Sequence, residues 1–190
     1  AGGRMKDLVS WGDFRGSAGE TAVLYPGASQ AKRVLVVGVG KRAELDSDRL
    51  RQAAGTAARK AASLGVSSYT MTLLGGEVGI KTDAAAQAMA EGTILAGYRT
   101  NLHRTEKEPS EGKPLEQMLI LLDNDLAKTE AEAGIRAGQE IASAVNWARD
   151  LANEPSNYVT PSALAEQAQE IARASGLRCE VYGPQEMRKL

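Results

Sequence analysis

The chain reads as an α/β protein layered around a mixed, largely parallel sheet, and three observations predict this. Short runs rich in β-branched residues alternate with longer segments whose small and apolar residues recur every three or four positions. R-V-L-V-V at 33–37 is continuously apolar after its arginine, as in a strand covered on both faces. Clusters of Gly, Pro, Asn and Asp separate these runs.

The opening A-G-G-R-M-K-D-L reads as amphipathic or loop sequence. Thr21–Tyr25 and Arg33–Val37 follow as strands, with turn chemistry between them in Pro26–Gln30. Asp46, Ser47 and Asp48 offer capping oxygens for a helix whose apolar stripe is Leu50, Ala53, Ala54, Ala57, Ala58, Ala61 and Leu64, stopped by Gly65. Tyr69–Leu74 is the next strand, closed by Gly75 and Gly76. Thr82 or Asp83 is expected to cap a helix carrying Ala86, Met89, Ala90, Thr93, Ile94 and Gly97.

Asn101–Lys113 is charged and poor in large hydrophobes, which predicts an exposed loop, and Leu115–Leu122 is a further strand. A long helix is predicted over Lys128–Ala152 from Ala131, Ile135, Gly138, Ile141 or Ala142, Val145, Ala148 and Ala152, with Pro155 ending it. Its stripe is small as well as apolar, which permits close backbone approach. Thr160 and Pro161 open another helix, with Leu164, Ala168, Ile171 and Ala172 as its buried face and Gly176 as its stop. Leu177–Tyr182 reads as a strand, and Pro184 as the first residue of a short helix.

At 190 residues, 43% hydrophobic and 25% charged, the chain can bury a core. Its net charge of -1 gives no global field for nucleic acid or an anionic membrane, so neither is an expected partner. No apolar run approaches the roughly 20 residues that span a bilayer, and the first residues lack an export signal, so a cytoplasmic protein is expected.

The candidate sites are sparse. Gly38-Val39-Gly40-Lys41-Arg42-Ala43 after a strand imitates a dinucleotide-binding turn, but the helix starts several residues late and no acid ends the strand at Tyr69. Asp46/Asp48 and Asp123/Asp125 are the dense carboxylate pairs, both placed where caps or strand-end turns belong. His103 sits among the charges of its loop as a solvated side chain, and Cys179 as a small buried hydrophobe in a strand. Trp147 is either an interface anchor or core cover, and Arg149, Asp150 and Glu154 are either bridges across a joint or a solvated face. No catalytic, cofactor-binding or metal-binding residue is assigned in this chain.

Several separated blocks resemble the leucyl aminopeptidase (cytosol aminopeptidase) family: W-G-D-F-R-G-S-A-G-E-T at 11–21, R-V-L-V-V-G-V-G-K at 33–41, A-E-G-T-I-L-A-G-Y-R at 90–99 and N-W-A-R-D-L-A-N-E-P-S-N-Y-V-T-P at 146–161. The resemblance implies a three-layer α/β/α, macro-domain-like N-terminal domain over 1–130 that lacks its first strand. It further implies a linker helix at 131–152 and the truncated start of a peptidase domain at 153–190. Both ends then read as cut points.

In such enzymes two divalent ions, manganese, zinc or magnesium, activate a water and polarise the scissile carbonyl, and a lysine stabilises the oxyanion. The family segments N-T-D-A-E-G-R-L and G-K-G-I-T-F-D-S-G-G that carry this chemistry do not occur here. The implied activity is removal of N-terminal amino acids from peptides. This part would serve assembly of a homo-oligomer, a hexamer in the family, and access to the active sites, with its own catalytic domain as partner. The alternative is a macro-like module that binds a nucleotide or ADP-ribose.

Overall fold

The computed structural model describes residues 2–27, 31–100 and 114–189, so the predicted Asn101–Lys113 loop and His103 lie outside the described residues. The chain divides into two compact units, Ala1–Trp147 and Ala148–Leu190.

The first unit opens with α1 (Gly2–Ser10), then β1 (Thr21–Leu24) and β2 (Val34–Val37), which pair antiparallel with Thr21 opposite Val37. A single 3-10 turn at Arg42–Glu44 leads to α2 (Ser47–Ser63). The cap predicted for this helix forms: Asp46 accepts from the Arg49 N–H at 2.8 Å. Then come β3 (Ser68–Thr72), α3 (Thr82–Ala96), β4 (Gln117–Leu121) and the long α4 (Lys128–Asn153). β3 and β4 pair in parallel, Tyr69 opposite Met118, as strands joined through a crossover helix do.

The alternation of strand and helix is the predicted α/β pattern. The ladders are one antiparallel and one parallel pair, and β2 and β3 are not hydrogen-bonded to each other. All four residues of β2 are therefore half-buried, where burial on both faces was expected. At α3 the predicted cap also differs. Lys81 occupies the cap position without a side-chain bond, and the Asp83 carboxylate accepts the N–H of Ala84 inside the first turn. A carboxylate there still favours the positive end of the helix dipole.

The core lies where α2 and α3 meet. Leu50, Ala85 and Ala88 form it, with Leu45, Leu73, Leu74 and Ile80 packed against them. Much of the remaining burial is alanine, including Ala53, Ala54, Ala57, Ala58, Ala86 and Ala90. Small side chains bring the backbones together: a Cβ on Gly92 would lie 2.0 Å from the Arg51 carbonyl oxygen. α4 meets α3 in the same way, a Cβ on Gly134 falling 2.1 Å from the Asp83 carbonyl oxygen and one on Gly138 2.6 Å from that of Gln87. The buried face of α4 is thus Ala131, Gly134, Gly138 and Ala142, whereas Ile141 and Val145 remain exposed. Of the two residues the sequence left open at that turn, Ala142 faces inward.

One charged group enters this interface. Glu91 is 5% exposed; it accepts from Arg51 Nε at 2.6 Å and from Gln87 Nε2 at 2.7 Å. Arg51 also donates to Asp48 at 2.9 Å, and its guanidinium is held above its ordinary range chiefly by the Glu91 bond, against a smaller opposing effect of burial. Breaking a buried pair from one side costs about 3–5 kcal/mol because a charge is stranded. The Arg51 side chain is 33% exposed, so water enters and the figure is smaller. Arg51→Met is expected to lose about 2 kcal/mol in urea unfolding, with partial recovery in Arg51→Met/Glu91→Gln, which strands no carboxylate. An unchanged midpoint in the single variant would show that the pair contributes nothing.

The second unit contains α5 (Pro161–Ser175) and α6 (Pro184–Met187). Thr160 caps α5 through the Ala163 N–H at 3.2 Å, Pro161 is its first residue, and Gly176 ends it at φ 66°. Three expectations fail in this unit. Residues 177–182 form no strand, because a ladder needs a partner and no described segment supplies one. Cys179, expected buried in that strand, is only half-buried. On α5 only Ala172 is buried, while Leu164 and Ile171 are 45% and 41% exposed, because this unit holds too little structure to cover them.

Candidate functional site

The glycine turn after β2 was the strongest ligand-binding candidate in the sequence, and its backbone is engaged by the W-G-D-F-R-G-S-A-G-E-T segment. The Gly38 N–H donates to the Glu20 carbonyl at 2.8 Å, the Gly19 N–H to the Gly38 carbonyl at 2.9 Å, and the Gly40 N–H to the Gly16 carbonyl at 2.9 Å. Gly38 has no room for a side chain, since a Cβ would stand 2.1 Å from the Ser17 carbonyl oxygen. Gly40, at φ 82°, sits in the left-handed region that favours glycine. On the other side of the contact the Glu20 carboxylate accepts the N–H groups of Arg15 and Ser17 at 2.9–3.1 Å.

A pyrophosphate site needs free N–H groups at a helix N-terminus. Here the two turn amides are bonded, and α2 begins only at Ser47. The first carboxylate after β3, Glu77, accepts from the N–H of Gly75 at 3.2 Å, and the Glu77 carbonyl receives Arg42 Nη2 at 2.8 Å. These contacts tie the loops at the ends of β2 and β3 together.

The first of the dense carboxylate pairs has structural partners. Asp46 caps α2, and Asp48 accepts from Arg51 and from Gln52 Nε2 at 2.7 Å. In the second pair it is the central Asn124 that caps the following 3-10 turn, through the Ala127 N–H at 3.1 Å. Among the described residues no group of three or more His, Cys, Asp or Glu side chains could hold a metal ion.

α4 runs unbroken through the Asn146–Asn153 part of the N-E-P motif and stops before Pro155. The Glu154 N–H still bonds the Asp150 carbonyl at 3.1 Å, and Pro155 accepts from Tyr158 and Val159 at 2.9 and 3.1 Å, closing the turn into α5. Trp147 is 39% exposed, while Arg149, Asp150 and Glu154 are half-buried.

Sequence reasoning missed Glu91 as a structural centre. The signal was present: Glu91 is the only charged residue between Asp83 and Arg99, on a helix built, apart from Asp83 and Gln87, of small or apolar residues. It also missed the Tyr69, Thr93 and Met118 group, where the Thr93 hydroxyl lies 3.1 Å from the Met118 sulfur and 3.3 Å from the Tyr69 hydroxyl. Burial raises the Tyr69 phenol above its ordinary range, against a smaller lowering by the Thr93 bond.

Comparison with known proteins gives a consistent relationship. Residues 1–107 match the cytosol aminopeptidase family, N-terminal domain. A probable cytosol aminopeptidase of Roseiflexus castenholzii is 38% identical over 188 residues, covering 97% of this chain and 38% of that protein. One from Alkaliphilus oremlandii is 32% identical over 189 residues, covering 99% of this chain and 38% of that protein. This chain therefore spans little more than a third of the length of these relatives. Among solved structures, a tomato leucine aminopeptidase mutant superposes with a TM-score of 0.79 at 26% identity, covering 97% of this chain and 36% of that one. The bottromycin maturation enzyme BotP in complex with Mn gives 0.76 at 26% identity, covering 96% and 36%.

Proposed function

The chain belongs to the cytosol aminopeptidase family, and from that premise we propose that it is the non-catalytic leading part of a metal-dependent leucyl aminopeptidase that removes N-terminal residues from peptides. The relatives' names support the activity, and the complex of BotP with Mn supports a divalent metal in the complete enzyme. The observation that carries the non-catalytic reading is how the carboxylates are used. Glu20, Asp46, Asp48, Glu77 and Glu91 each hold a loop, a cap or an ion pair, and the two that converge, Asp48 and Glu91, do so on the Arg51 guanidinium. The metal chemistry belongs, in this proposal, to chain outside these 190 residues.

Within that reading, 1–130 is the N-terminal domain, 131–152 the linker helix and 153–190 the first elements of the peptidase domain. Support comes from the continuity of α4 up to Asn153 and from the slight burial in α5 beyond it. Assembly into a homo-oligomer and control of access to the active sites are its proposed tasks. The exposed Ile141, Val145 and Trp147 on α4 support a surface that further protein covers. A cytoplasmic location is supported by the relatives' names, and no helix among the described residues is long and apolar enough to cross a membrane.

The test is release of chromophore from a leucyl anilide. The 190-residue chain is expected to give none with manganese or zinc added, whereas a longer protein containing it is expected to turn over. Metal-dependent turnover by the chain itself, absent from a mock preparation, would overturn the non-catalytic reading. No turnover by the longer protein on any aminoacyl anilide would overturn the enzymatic one.

The nucleotide-binding alternative gains no support from the glycine turn, whose amides are bonded to residues 16–20. Calorimetric titration with ADP-ribose or NAD is expected to show no heat of binding at micromolar concentrations. Micromolar affinity would restore that alternative.

A further inference from the structure

No further inference is drawn: the strongest candidate, the exposed face of the β3–β4 sheet around Leu119 and Leu121, is an unpartnered apolar surface and nothing in the structure shows what covers it.

Discussion

Gly92→Ala is expected to destabilise the first unit by about 2 kcal/mol, although alanine is the better helix former. The two effects can be weighed. Removing an interior helical glycine gains about 1 kcal/mol of propensity. Forcing a methyl into a filled contact costs about 1–3 kcal/mol, and more when the neighbour cannot move. The neighbour here is the Arg51 carbonyl oxygen, 2.0 Å from the new Cβ, and it is fixed in the second turn of α2. No rotamer change relieves that overlap, so α2 and α3 must separate and open the contacts around Leu50, Ala85 and Ala88.

Gly134→Ala meets the Asp83 carbonyl at 2.1 Å and should behave alike at the junction of α3 and α4. Gly3→Ala, with nothing within 4 Å, is the control and should be neutral or slightly stabilising. Urea unfolding reads all three. With a slope of about 2 kcal/mol per molar, Gly92→Ala lowers the midpoint by about 1 M. A midpoint at or above that of the wild-type chain would mean that the helices are not in contact at Gly92.

The same glycines explain what sequence pattern could and could not show. Where one stretch of chain determines its own structure, the reading was accurate at most helix ends, the cap of α3 being the exception. The Asp46 cap, the Gly65 stop and the Thr160-Pro161 start all concern neighbours within a few residues. The helix stripe of α2 was visible because a period near 3.6 needs no knowledge of the partner, whereas on α4 only Ala131, Gly138 and Ala142 of the predicted stripe are buried and Val145, Ala148 and Ala152 are exposed. Which residue of a stripe faces inward was not visible: Ala142 rather than Ile141 is buried because Gly134 and Gly138 admit the α3 backbone there.

Strand pairing beyond the β1–β2 turn was also out of reach. Residues 177–182 alternate as a strand should, but alternation supplies side-chain placement and not the ladder partner. The candidate site followed the same division. The glycine turn was found from its spacing, whereas its partner, the 16–20 loop, lies earlier in the chain and is linked to it through backbone bonds that do not identify which segment is the partner.

Amide exchange should separate the two kinds of segment by a factor of about a thousand. The ladder-bonded amides of β2 exchange only when the β1–β2 pair and its contact with α2 open, an event that approaches the opening of the whole unit. An opening free energy of about 4 kcal/mol corresponds to roughly a thousandfold slowing, at 1.4 kcal/mol for each factor of ten. Residues 178–182 have no ladder among the described residues, and the exposed Val181 and Tyr182 do not hold them against a core. Their amides are expected to exchange at nearly the rate of an unstructured peptide. Leu177 is the exception, because its N–H donates to the Ala172 carbonyl at 2.8 Å in the cap of α5. Equal protection of β2 and 178–182 would show that the C-terminal segment docks on the first unit, and the proposed division near residue 152 would have to be withdrawn.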